Sequence, residues 1–77
     1  MSIIIKLNEI DDLKTFVEDM RSLPCDVNIY KDSYVVDGKS ILGLLSLSLS
    51  TPITAKVISD DEEIIKRFEE LCTRYSA

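Results

Sequence analysis

The stretch Asp37-Gly38-Lys39-Ser40-Ile41-Leu42-Gly43-Leu44-Leu45-Ser46-Leu47-Ser48-Leu49-Ser50 holds both glycines of the chain and most of its leucines. Two periodicities compete in it. Leu45, Leu47 and Leu49 alternate with serines, the pattern of a half-buried strand, whereas Ile41, Leu44, Leu45 and Ser48 fall on one face at helical spacing. The left half favours the helix. Gly38 can release the chain from a preceding strand, and the Ser40 hydroxyl can accept from the orphan amides of a first turn. Pro52 bounds the segment and pushes Thr51 toward an extended conformation. Gly43 weakens such a helix by about 1 kcal/mol relative to alanine, which points to marginal stability or a close neighbour. The reading adopted is a short helix opening at Ser40.

Upstream lie two short β-rich runs, residues 26–30 and 33–36, separated by Lys31-Asp32, a tight hairpin without an Asn-Gly turn. Val27, Ile29, Tyr34 and Val36 are their inward residues. Before them Leu13, Phe16, Val17 and Met20 recur at helical spacing opposite Asp12, Lys14, Glu18, Asp19 and Arg21. Asn8 caps that helix, Asp11 and Asp12 suit its positive end, and Pro24 stops it. At the start, Ile3, Ile5 and Leu7 alternate as a strand whose second face is also partly covered. Downstream, residues 53–58 alternate as a fourth strand. Ser59 and Glu62 then form a Ser-x-x-Glu capping box before the strongest helical stripe, Ile64, Ile65, Phe68, Leu71, Cys72 and Tyr75.

The element order is β-α-β-β-α-β-α in one domain spanning residues 1–77. Helices with one apolar face each must cover one side of a four-stranded sheet, which predicts a two-layer α+β sandwich whose other face meets solvent or a partner. With 77 residues, 45% of them hydrophobic, one small core is expected and a deep internal active site is not.

A net charge of −5 with scattered Lys and Arg excludes nucleic acid and anionic membrane as expected partners. No apolar run reaches the ~18 residues of a membrane span, and the first residues lack signal-peptide character, so a cytoplasmic protein is expected. Cys25 and Cys72 fit no zinc or redox spacing. They read as buried free thiols, with a disulfide left open because sequence does not give the separation of their Cα atoms. The chain has no histidine, the commonest metal ligand and general base. Asp60, Asp61, Glu62 and Glu63 suit a solvated helix start rather than a cation site. Gly38-Lys39-Ser40 lacks the earlier glycine of a phosphate-binding P-loop, since position 33 is Ser33. No cofactor, metal or small-molecule substrate is expected.

The segment Gly38-Lys39-Ser40-Ile41-Leu42-Gly43-Leu44-Leu45-Ser46-Leu47 is similar to the regulatory-serine segment of the HPr family, the small histidine-containing phosphocarriers of the bacterial sugar phosphotransferase system. The element order matches that family over nearly the whole chain. The resemblance implies an open-faced sandwich with strand order 1-4-2-3 and three helices on one face. It also implies that Ser40 is the target of an ATP-dependent kinase and that the helix after it docks proteins. The competing reading makes Ser40 an N-cap only. Lys39, Ser40, Ile41, Leu42 and Leu45 are the candidate partner-binding residues, although for two of the three apolar ones a core position is expected.

The family's catalytic histidine, followed by threonine or serine, arginine and proline, opens the first helix. Here that region reads Leu7-Asn8-Glu9-Ile10-Asp11-Asp12-Leu13, in a loop shorter by several residues, with Glu9, Ile10, Asp11 and Asp12 in the places of the motif. No phosphohistidine can form, and the carboxylates repel a phosphate donor. The expectation is a non-enzymatic, HPr-like regulatory module that binds proteins through the Ser40 helix. The partners implied are HPr kinase, phosphotransferase-system components or a catabolite-control transcription factor. The alternatives are a phosphocarrier using Asp11 or Asp12 as an acyl-phosphate acceptor, Glu9 imitating a phosphohistidine, and a scaffold unrelated to sugar transport.

Overall fold

The computed structural model describes residues 1–47 and 51–76. Its elements in chain order are β1 (Ser2–Ile5), α1 (Ile10–Arg21), β2 (Asp26–Lys31), β3 (Tyr34–Asp37), α2 (Ile41–Leu45), β4 (Ile53–Ile58), α3 (Glu62–Cys72) and a closing 3-10 turn, Thr73–Tyr75. The strands form one antiparallel sheet in the order β1-β4-β2-β3. Residues 48–50, on which the strand-like end of the serine alternation rests, lie outside the described residues. The helical reading of the first half holds over Ile41–Leu45.

The core lies between the sheet and the helices. Ile5, Val27, Ile29, Ala55 and Val57 point from the strands toward Leu13, Phe16, Val17 and Met20 of α1, Leu44 of α2, and Phe68 and Cys72 of α3. Each fully buried Leu, Ile, Val, Phe or Met side chain contributes roughly 1.5–3 kcal/mol of transfer free energy, so this stripe-on-sheet contact is what holds the two layers together. Gly38 sits where β3 turns toward α2, and its amide donates to the Val27 carbonyl at 2.7 Å. A Cβ at Gly38 would lie 3.0 Å from Val27 Cγ1 and 3.1 Å from that carbonyl oxygen, so the position requires glycine for space.

Both helix starts differ from the sequence reading by one or two residues. Glu9, not Asn8, is the N-cap of α1, and the Asp12 carboxylate reaches back to accept from the amides of Asn8 and Glu9, each at 3.1 Å. Asp61, not Ser59, caps α3, accepting from the amides of Glu63 at 2.9 Å and Ile64 at 3.3 Å. Ser59 instead accepts from the Asp61 amide. In each place several acceptors stand in a row, and the carboxylate nearest the open amides takes them.

One turn position and two exposures also correct the expectation. The hairpin turns at Asp32-Ser33, because Lys31 pairs with Tyr34, and Asp32 takes a positive φ of 53° that aspartate tolerates better than most residues. Tyr34 shares a face with Val36 but is 65% exposed, since it sits past the end of α2, where it lines a cleft of about 270 Å³ with Lys31, Asp32, Ser46 and Leu47. Ile4 is 59% exposed. Its face of β1 is not covered, because the helices all lie on the other side of the sheet. Cys72 is buried and Cys25 partly so, and both are free thiols.

Candidate functional site

The site is built on the five-residue helix α2. Ser40 precedes it in an extended conformation, φ −115° and ψ 115°, and its Oγ accepts from the Gly43 amide at 3.1 Å while its carbonyl accepts from Leu44. Ser40 is therefore an N-cap. A helix this short is below the length that is stable alone, so its position comes from anchors outside it.

Lys39 is the principal anchor. Its ammonium donates to the Leu23 carbonyl at 2.7 Å, its amide donates to Asp37 Oδ1 at 2.9 Å, and its carbonyl accepts from Arg21 Nε at 3.1 Å. These contacts tie the start of α2 to the end of α1 and the end of β3. Lys39 thus supports the surface from behind. Gly43 lies against β3, where a Cβ would meet Ser40 and Val36 at 3.4–3.5 Å, an ordinary contact.

The apolar residues of α2 divide differently from expectation. Leu44 takes the inward position and is fully buried, and Ile41 packs partly against the core. Leu42 is 82% and Leu45 47% exposed. Two of the three candidates are thus surface residues. The cause is geometric, since a helix of little more than one turn touches the layer beneath it along a single line and leaves the flanking positions outside.

The acidic opening of α1 is a separate place, at the end of α1 remote from the Arg21–Lys39 contact. A helix of twelve residues is about 18 Å long. Glu9, Ile10 and Asp11 are exposed there, and Asp12 is half-buried. The Asp12 carboxylate is committed to two backbone amides, and the Asp11 carbonyl accepts from Thr15 Oγ at 2.9 Å.

Titrations are displaced on the opposite flank of α1, a cluster that sequence reasoning did not single out. The Tyr75 hydroxyl donates to Asp19 Oδ2 at 2.9 Å, and Arg74 Nη1 lies 3.6 Å from the same oxygen. Burial, the hydrogen bond and the charge of Asp19 push Tyr75 up to about 12. Burial first and the Asp19 charge second push the Cys72 thiol up to about 12, so it is an inert thiol at neutral pH. The only sequence signal for this pairing was the helical stripe that ends at Tyr75. Among the described residues no group of three His, Cys, Asp or Glu side chains is placed to hold a metal ion, and no helix is long and apolar enough to cross a membrane.

A four-stranded antiparallel sheet in the order 1-4-2-3, with a serine-capped short helix packed beside the first helix, defines the HPr class of open-faced sandwich. Solved structures agree. The phosphocarrier protein HPr from Bacillus anthracis superposes with a TM-score of 0.77 at 26% identity, over 99% of this chain and 94% of that one. HPr-C-His from Thermoanaerobacter tengcongensis superposes with a TM-score of 0.73, also at 26% identity, over 95% of this chain and 89% of that one. In sequence, the HPr-like protein Crh of Bacillus subtilis is 36% identical over 56 residues, 73% of this chain. The chain belongs to the HPr family. The matched segment spans 66% of Crh, just under two thirds of its length. The crystal structure of Crh, described as an intertwined dimer with domain swapping, superposes with a TM-score of 0.66 at 27% identity, over 97% of this chain and 88% of that one. No family model matches the chain.

Proposed function

We propose that this protein is a non-enzymatic regulatory member of the HPr family, acting in the cytoplasm by binding other proteins through α2. The observation that carries the proposal is the exposure of Leu42, at 82%, beside Leu45 on a helix fixed by Ser40 and Lys39. A rigid, exposed apolar pair loses little conformational entropy when a partner covers it. The partners proposed are HPr kinase, other phosphotransferase-system proteins or a catabolite-control transcription factor, with Ser40 as the phosphorylated residue. Phosphate on Ser40 would add two negative charges at most to a surface edged by Lys39 and Arg21, and so change which proteins dock there.

Phosphoryl relay through histidine has no acceptor in this sequence. Relay through a carboxylate is disfavoured as well. Asp12 is engaged by two amides, and Asp11 has no arginine in the adjoining motif positions to steady a phosphoryl group.

Intact mass after incubation with ATP and an HPr kinase tests the reading, with Ser40→Ala and Leu42→Asp as companions. The expected result is one phosphate on the parent protein, none on Ser40→Ala and slowed addition on Leu42→Asp. No phosphate under conditions that fully modify a histidine-containing HPr would overturn the assignment of Ser40.

A further inference from the structure

The sheet face turned away from the helices carries an ordered pattern. In register across the strands, Ile4, Thr54, Tyr30 and Val35 lie side by side, followed by Ser2, Lys56, Asn28 and Asp37, and then by Ile58 beside Asp26. Ile4 is 59% and Val35 57% exposed at the two edges of the first row, with half-buried Thr54 and Tyr30 between them, and Ile58, 44% exposed, lies two rows away beside Asp26. The charges are segregated. Lys56 on β4, with Lys6 just beyond β1, occupies one half of the face, and Asp26 on β2 with Asp37 on β3 occupies the other.

A face divided in this way is complementary to itself. A two-fold axis parallel to the strands lays β1 of each copy over β3 of the other and β4 over β2, while keeping the rows aligned. Ile4 of each copy then faces Val35 of the other, Thr54 faces Tyr30, and Lys56 stands over Asn28 between Asp26 and Asp37. An axis across the strands would stack the acidic halves on each other and the basic halves likewise. Aligned packing of two sheets is also a preferred arrangement, and an isologous contact needs only one self-complementary patch.

We propose that the open face is a self-association surface, occupied by a second copy in the parallel-axis arrangement. Four strands about 4.8 Å apart and about five residues long make a patch of roughly 19 by 17 Å. That is smaller than the ~800 Å² per partner of a standard interface, so the dimer is weak and exchanges rapidly. It leaves α2 uncovered and does not depend on the function proposed for that helix.

Amide chemical shifts across a dilution series, with sedimentation velocity in parallel, read the surface directly. Concentration-dependent shifts are expected at Ile4, Tyr30, Thr54 and Val35 and not on α2. Two variants with exposed substitutions, Lys56→Glu and Asp26→Lys, are each expected to remain monomeric at about 1 mM, because each places like charges across the axis. Mixed in equal amounts they should associate, since both cross-pairs are again opposite in sign. Constant shifts at all concentrations, shifts centred on α2 or on the outer edges of β1 and β3, or a mixture as monomeric as its components would overturn the proposal.

Discussion

The Tyr75 hydroxyl donates a 2.9 Å hydrogen bond to the carboxylate of Asp19, 56 residues earlier in the chain. The same ring meets Phe16 edge-on, with centroids 5.3 Å apart and planes at 89°. The Tyr75 side chain is thereby fixed to the second half of α1, partly by an apolar contact and partly by a charge-assisted bond.

This pairing makes stability depend on alkali. Tyr75 and Cys72 are both held above their ordinary values, at about 12 against 10.0 and 9.0. Their contribution is therefore complete below about pH 9 and is lost as pH rises toward 12, because the unfolded chain releases the protons first. Urea unfolding is expected to show stability falling by on the order of 4 kcal/mol between about pH 8 and about pH 11. Tyr75→Phe should lower stability near neutrality by about 1 kcal/mol and flatten the upper part of that decline. An unchanged slope in the variant would remove Tyr75 from the account.

Leu42 and Leu44 separate surface from core on one helix. Leu44→Ala is expected to cost about 2–5 kcal/mol, because Leu44 is fully buried. Leu42→Asp should leave stability within about 0.5 kcal/mol. Equal losses, measured by thermal unfolding of the two variants, would contradict the division of roles drawn for α2.

The two glycines respond in opposite directions to alanine. Gly43→Ala meets only ordinary contacts and should stabilise α2 by up to about 1 kcal/mol. Gly38→Ala drives a methyl group against Val27 and its carbonyl oxygen, with an expected loss of about 1–3 kcal/mol. Urea midpoints of the pair give the comparison without absolute calibration.

Ser40→Ala removes the cap on Gly43 and is expected to cost about 1 kcal/mol, whereas Ser40→Gly costs a few tenths. Hydrogen exchange at the Gly43 and Leu44 amides should quicken in Ser40→Ala. Exchange that is unaltered would mean that Lys39 alone holds the helix start.

Long stripes made most of the fold legible before any coordinates. Leu13, Phe16, Val17 and Met20 could lie on no other face of a helix, and Ile53, Ala55 and Val57 alternate too regularly to be anything but a strand. What failed were matters of a single residue. Choosing Asn8 over Glu9, or Ser59 over Asp61, requires knowing where the first open amide points, which neighbouring polar side chains do not reveal. Tyr34, Ile4 and Leu45 were misplaced for another reason. Their exposure depends on how far a neighbouring layer extends over them, and that is a property of the assembled sandwich. In the site, the capping role of Ser40 was legible, while the anchoring role of Lys39 was not, because Leu23 and Arg21 come near it only after α1 and α2 have met.

The strand order has a consequence for synthesis. Among the described residues β1 pairs with the strand β4 and, through Ile5, bridges to Ser76, both far along the chain, so Ile3, Ile4 and Ile5 have no strand beside them until Ile53, Thr54 and Ala55 exist. At roughly 5–20 residues per second, that delay of about fifty residues lasts on the order of 2–10 s. For that time the nascent chain carries an unpaired apolar strand, and the sheet is completed only once β4 has been made.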